Sequence, residues 1–138
     1  MMDCHRVPKA LRIWFIIHFI ADITVALPLF LFPEIVLGYF GWQNIDPLTT
    51  RLFAAALFGI GTESYLGRNS KPETYSNMLN LKIIWSIFAI LGFLLSLVQG
   101  NKNGNALTWI GIFVFTFFNF LWVYWKYRLR KTKSCSNA

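Results

Sequence analysis

The stretch Leu11-Arg-Ile-Trp-Phe-Ile-Ile-His-Phe-Ile-Ala-Asp-Ile-Thr-Val-Ala-Leu-Pro-Leu-Phe-Leu31 decides the fold. At about 1.5 Å per residue, an apolar helix of about 20 residues crosses the roughly 30 Å hydrocarbon core of a bilayer. Three further apolar runs of comparable length follow, at about 48–66, 81–98 and 106–125. The spacing predicts an all-α chain, a four-helix integral membrane bundle in one membrane domain covering residues 1–138. A secretory signal peptide would also begin with basic residues, here Arg6, Lys9 and Arg12. The apolar core of this run is too long for one, carries His18 and Asp22, and lacks a small-residue cleavage pattern, so it reads as a retained helix. Pro28 removes a backbone donor and predicts a kink at its outer end.

Composition supports the membrane reading. Hydrophobic residues make up 56% of the chain and charged residues only 14%, too little polar surface for a soluble fold. The net charge of +7 raises nucleic acid as a partner, but no basic face on a folded element is visible. Lys and Arg flank the apolar runs instead, so the expected partner is the bilayer and not nucleic acid. Of the 13 basic residues, Arg6, Lys9, Arg12, Arg68, Lys71, Lys82, Lys126, Arg128, Arg130, Lys131 and Lys133 fall on one side of this threading. Arg51 and Lys102 alone fall on the other. The positive-inside rule then puts both termini in the cytoplasm. No organelle address is evident, so the expected location is a plasma membrane, the prokaryotic inner membrane by default. Cys4 and Cys135 lie in the tails and read as free thiols. Ser136 and Asn137 stand where a prenylation box needs aliphatic residues.

The connections carry their own signals. Residues 32–42 are apolar but broken by Pro33, Gly38 and Gly41, with Tyr39, Phe40 and Trp42 suited to an interfacial aromatic belt. Asp46-Pro47 reads as an N-cap followed by the first helical position. Gly67 and Asn69 end the second span. Ser70 and Glu73 have capping-box spacing and predict a third helix that starts before the membrane, with Tyr75, Asn77 and Asn80 in the polar interface. Gln99 to Asn105 is a polar turn. Trp122, Tyr124, Trp125 and Tyr127 mark the inner interface of the fourth span.

Ionisable groups inside a span cost roughly 2.5–3.5 kcal/mol or more at its centre, so they should face protein or water. His18, Asp22 and Glu63 are the candidates, with Asn119 as a polar neighbour. At about 1.5 Å rise per residue, His18, Glu63 and Asn119 fall roughly 6–9 Å inside the inner boundary, and Asp22 near the midplane. His18 and Asp22 share a face at i, i+4. Ala56, Gly59 and Glu63 form one stripe and Ser86, Ala89, Phe93 and Ser96 another, of the small and hydroxylated kind that close helix contacts in lipid favour. Lys82 is expected to snorkel to the headgroups or to pair with Glu63. The alternative role for these groups is interhelical hydrogen bonding that fixes register without a ligand. Gly59-Ile-Gly61 lies in an apolar span without a phosphate-binding context, and reads as a packing device. No set of three or four converging metal ligands at one depth is evident, and no motif calls for a cofactor.

The segment Arg51-Leu-Phe-Ala-Ala-Ala-Leu-Phe-Gly-Ile-Gly61, followed by Tyr65-Leu-Gly-Arg68, resembles the small four-span DoxX-like membrane proteins. The basic N-terminus and the Pro-containing first hairpin add to the likeness over spans one to three. The resemblance implies a four-helix bundle that sometimes partners other membrane proteins. The spans lack a cysteine pair, so it carries no thiol chemistry across. Three functions follow from the whole reading. The first is a bundle that binds or conducts a small molecule, lipid or ion at an inner-leaflet polar site or proton relay of His18, Asp22, Glu63 and Asn119. The second is an accessory subunit packed on a membrane-protein partner or on a second copy. The third is a lipid-modifying enzyme with His18 and Asp22 as acid and base, for which the short loops leave little room.

Overall fold

The computed structural model describes residues 7–99 and 105–134, and these form helices with no strand among them. The order is α1 (Lys9–Leu31), the short α2 (Pro33–Tyr39), α3 (Pro47–Leu66), a single 3-10 turn (Gly67–Asn69), α4 (Pro72–Val98) and α5 (Asn105–Ser134). Cys4 and Cys135, expected as free thiols, and the basic residues Arg6 and Lys102 lie outside what the structure describes, as do the side chain of Lys133 and most of the turn before α5. Three helices are long and apolar enough to cross a membrane: α1, α4 and, over Ala106–Lys131, α5. These suit a small membrane protein. The fourth expected span, α3, has the length, at 20 residues, but is not among them. Arg51 and Glu63 near its ends, with its threonines and glycines, dilute its apolar character.

Backbone chemistry explains where the helices begin and end. Asp46 caps α3 by accepting from the backbone N–H of Leu48 at 3.0 Å and of Thr49 at 3.4 Å. Its other oxygen accepts from the Thr49 hydroxyl. These bonds, the Thr49 hydroxyl first, hold the Asp46 carboxyl below the usual carboxylate range. Pro33, Pro47 and Pro72 each stand in the first turn of a helix, where a missing N–H costs nothing. Gly41, at φ +82°, closes the turn after α2 in a conformation that favours glycine. The capping box expected at Ser70 and Glu73 is not made: Lys71 occupies the N-cap, without a side-chain cap bond. With Pro72 as the first helical residue, the N-cap falls one residue past Ser70.

The long helices pack as two antiparallel pairs. Along α1 and α3, Arg51 Nε donates to the Phe30 carbonyl at 3.2 Å, Asp22 meets Gly61, and Phe19 meets the Tyr65 ring at 4.9 Å. Along α4 and α5, Phe93 lies against Gly111, Asn119 bonds the Ile83 carbonyl, and Lys126 bonds Ser76. Close backbone approach is concentrated within each pair. Between the pairs, large side chains hold the helices apart. Phe15 packs tilted against Tyr75 at 4.7 Å and edge-on to Trp122 at 5.6 Å, and Phe53 lies over Trp85 at 6.3 Å.

Two apolar clusters anchor this arrangement. One joins Val7, Leu11 and Phe15 of the first helix and its approach to Tyr75, Met78, Leu79, Trp122, Trp125 and Leu129. The other joins Ala26 and Leu29 to Ala54 and Leu57 at the opposite end of the α1–α3 pair. Three aromatics expected at the interface are packed between helices rather than turned outward: Tyr75 and Trp122 are fully buried and Trp125 is nearly so. Helix α4 reaches past the expected start of its apolar part, and α5 continues into the basic tail, which carries these residues into helix–helix contact. The outward faces are apolar as well, with Phe88, Phe113 and Phe120 each about 70% exposed. That is a surface for lipid.

Candidate functional site

The buried polar groups meet in the seam between the two helix pairs. On α1, the four-residue spacing of His18 and Asp22 brings His18 Nδ1 within 2.8 Å of Asp22 Oδ2. From α4, Lys82 Nζ reaches the same Nδ1 at 3.1 Å and donates to Ser64 Oγ of α3 at 2.7 Å. Ser64 spends its own hydroxyl proton on the Ile60 carbonyl at 2.7 Å, which leaves its oxygen free to accept from Lys82. The Lys82 ammonium also lies 5.2 Å from the Trp122 ring and 5.3 Å from the Phe15 ring. Such placement over aromatic faces offsets part of the cost of removing a cation from water. The His18 ring is held edge-on by Phe118 at 4.9 Å and Trp122 at 5.1 Å.

Asp22 sits where only a glycine could face it. A Cβ added at Gly61 would lie 2.8 Å from Asp22 Cβ and 3.2 Å from Asp22 Oδ2. Glycine at that position lets α1 and α3 approach with a carboxylate between them. Gly59, two residues earlier, has nothing within 4 Å of the same hypothetical atom, so only one of the two glycines serves packing. Asp22 Oδ2 is buried and has no aligned hydrogen-bond donor. Its approach to Nδ1 is close, but off the line along which a ring N–H would donate.

A cavity of about 130 Å³ opens beside this cluster. His18, Asp22, Lys82 and Ser86 bring its polar chemistry from neighbouring turns of α1 and α4. The remaining lining is aliphatic and aromatic, Phe53, Leu57, Trp85 and Phe118 among it. Ser86 is already satisfied: its hydroxyl donates to the Lys82 carbonyl at 2.8 Å and its oxygen accepts from Asn119 Nδ2 at 2.7 Å.

Of the four residues expected to form the site, the structure brings His18 and Asp22 into direct contact. Asn119 stands behind them, bonded to Ser86 and Ile83, and does not line the cavity. Glu63 is turned away: it is exposed, and the buried stripe of α3 is Ala54, Leu57, Gly61 and Ser64, not Ala56, Gly59 and Glu63. Both stripes follow the same three-and-four spacing, but at 3.6 residues per turn they lie roughly 150° apart around the helix, and the spacing alone does not choose between them. Lys82 does not snorkel. It is 3% exposed and is the central cation of the cluster, with Ser64 in the place where Glu63 was expected. One signal marked it in advance: Ser86 follows four residues later, so α4 carries two polar side chains on one face. Among the described residues, no three His, Cys, Asp or Glu side chains converge as a metal site.

Comparison with protein-family models, with curated proteins and with solved structures gives no match in any of the three.

Proposed function

We propose that this chain is a small four-span membrane protein that binds a small, mainly apolar molecule in the seam between its helix pairs. The polar end of the ligand meets the His18–Asp22–Lys82 wall. The observation that carries this reading is the cavity itself: about 130 Å³, with its ionisable lining on one wall and apolar or aromatic side chains elsewhere. An apolar protein cavity of roughly 150 Å³ holds a molecule the size of benzene. Ligand sites combine a mostly apolar lining with a few placed polar groups in this way.

The threading has independent support. Helix α3 runs antiparallel along α1, from the Arg51–Phe30 contact at one end to the Tyr65–Phe19 contact at the other, so it accompanies α1 across the same depth. The basic residues sort by end. Tyr75, whose hydroxyl donates to the Arg68 carbonyl, packs in one cluster with Leu11, which adjoins Arg12, and with Trp125, which adjoins Lys126. Arg51 bonds at the other end of α1. Removing Lys82 from the charge count, because it is buried, leaves the partition one-sided, and we place both termini in the cytoplasm of a cell with a plasma-membrane protein of this kind.

Lipid mass spectrometry on gently extracted protein tests the ligand reading. A discrete species should stay with the wild type and fall at least tenfold in Asp22→Asn, and in Val114→Trp, which fills the cavity from its rim. Wild-type protein that carries only membrane lipids in bulk proportion would sink the proposal.

A further inference from the structure

Two groups compete for one nitrogen in the seam. An imidazole Nδ1 has a single in-plane position, which holds either a proton or a lone pair. Lys82 Nζ, at 3.1 Å, requires the lone pair. Asp22 Oδ2, at 2.8 Å and without an aligned donor, requires the proton. No single proton arrangement satisfies both contacts. Lys82 Nζ and Asp22 Oδ2 approach Nδ1 from different directions, so the ring must swing to bring the other partner into line.

We infer that Lys82, His18 and Asp22 form a proton-transfer unit in which Nδ1 alone passes a proton between the lysine and the carboxylate. In the first step an Nζ–H bond of the Lys82 ammonium breaks as Nδ1–H forms, giving a neutral amine and an imidazolium. In the second, Nδ1–H breaks as a bond forms to Asp22 Oδ2, giving a neutral imidazole and a carboxylic acid. The trio has zero net charge at each stage. The start is an ion pair of carboxylate and ammonium, and the end has no charge at all, so transfer changes no net buried charge in a medium where that is expensive. The proton moves from Lys82 Nζ through Nδ1 to Asp22 Oδ2, over contacts of 3.1 and 2.8 Å.

The surroundings leave this unit electrically alone. Helix α1 supplies His18 and Asp22, and α4 supplies Lys82 with the neutral Ser86. Helix α3 faces them with Gly61 and the neutral Ser64, while its Glu63 is exposed. Helix α5 contributes Phe118 and Trp122. The inference uses the polar wall of the proposed ligand site but needs no ligand, so either can fail without the other.

The test is nitrogen NMR of ligand-free protein in lipid nanodiscs, labelled with 15N-histidine. A His5→Gln background leaves one histidine, His18. The wild-type Nδ1 signal should lie between the protonated and unprotonated positions and move with temperature as the populations change. In Asp22→Asn it should move to the unprotonated position, because Lys82 is then the only ionisable partner. In Lys82→Met it should move the opposite way, because Asp22 then holds the proton on Nδ1. A wild-type signal fixed at either extreme across temperature overturns the inference, and it decides the matter even if a variant fails to fold.

Discussion

The interfaces inside each helix pair and the seam between the pairs are built on opposite terms. Inside a pair, small residues allow close approach: Ala26, Ala54 and Gly61 between α1 and α3, and Gly111 under Phe93 between α4 and α5. In the seam, Phe15, Tyr75, Trp85, Phe118 and Trp122 keep the helices apart, and the space between them holds the cavity and the ionisable groups. The difference separates stability from chemistry. Close helix contact in lipid comes from packing and small residues, since there is no hydrophobic drive between helices there. A polar site needs room, and the seam provides it.

The largest effect should come from breaking the seam's charge balance. Lys82→Met leaves Asp22 as a buried carboxylate without its cation and leaves Ser64 Oγ without its donor. Removing one partner of a buried pair costs about 3–5 kcal/mol, more than an ordinary interhelical hydrogen bond of about 0.6 kcal/mol. Unfolding in mixed micelles should show a loss of about 3 kcal/mol for Lys82→Met. Adding Asp22→Asn should restore at least half of it, because the stranded charge is gone. Additive losses in the double variant would mean that the two residues do not share one electrostatic unit.

A smaller effect tests where pair and seam meet. Gly61→Ala places a methyl 2.8 Å from Asp22 Cβ, so either α3 or the carboxylate must shift. Overpacking of this kind costs about 1–3 kcal/mol. Gly59→Ala has open space around the same methyl and gains the helix preference of alanine, worth up to about 1 kcal/mol. The two alanines, two residues apart, should therefore change thermal stability in opposite directions. Equal effects would show that Gly61 does not serve the Asp22 contact.

The same contrast explains what could be read from the sequence. Lengths of apolar runs located α1, α4 and α5, because span length is a local property. The His18–Asp22 pair was legible for the same reason, as an i, i+4 relation within one helix. The cap at Asp46 was legible from Asp46-Pro47 alone. Lys82 was misplaced because its role depends on His18, 64 residues away, and on Ser64 of a third helix. Such a meeting depends on how the pairs dock, and flanking a hydrophobic run looks the same in sequence whether a lysine turns outward or inward. Glu63 failed on phase: spacing identified a three-and-four period in α3 but left open which side of the helix turns inward. Tyr75 and Trp122 were given to the interface because aromatic rings near basic residues read that way, yet the same rings fill the seam.

The smallest effect belongs to Asn119, and it separates the two kinds of interface most cleanly. Its amide spans α5 to α4, donating to Ser86 Oγ at 2.7 Å and to the Ile83 carbonyl at 3.2 Å. Neither acceptor depends on it for its own helix: Ser86 keeps its bond to the Lys82 carbonyl. Asn119→Ala should therefore cost about 1 kcal/mol of unfolding free energy, the range of measured interhelical hydrogen bonds in membranes. It should leave the retained small-molecule species and the His18 Nδ1 signal where they are in the wild type, because Asn119 does not line the cavity. The reverse result, intact stability with a lost ligand or a moved Nδ1 signal, would place a pair interface inside the chemistry. It would also make the α4–α5 clamp, through Ser86 and the turn that carries Lys82, the element that positions the lysine.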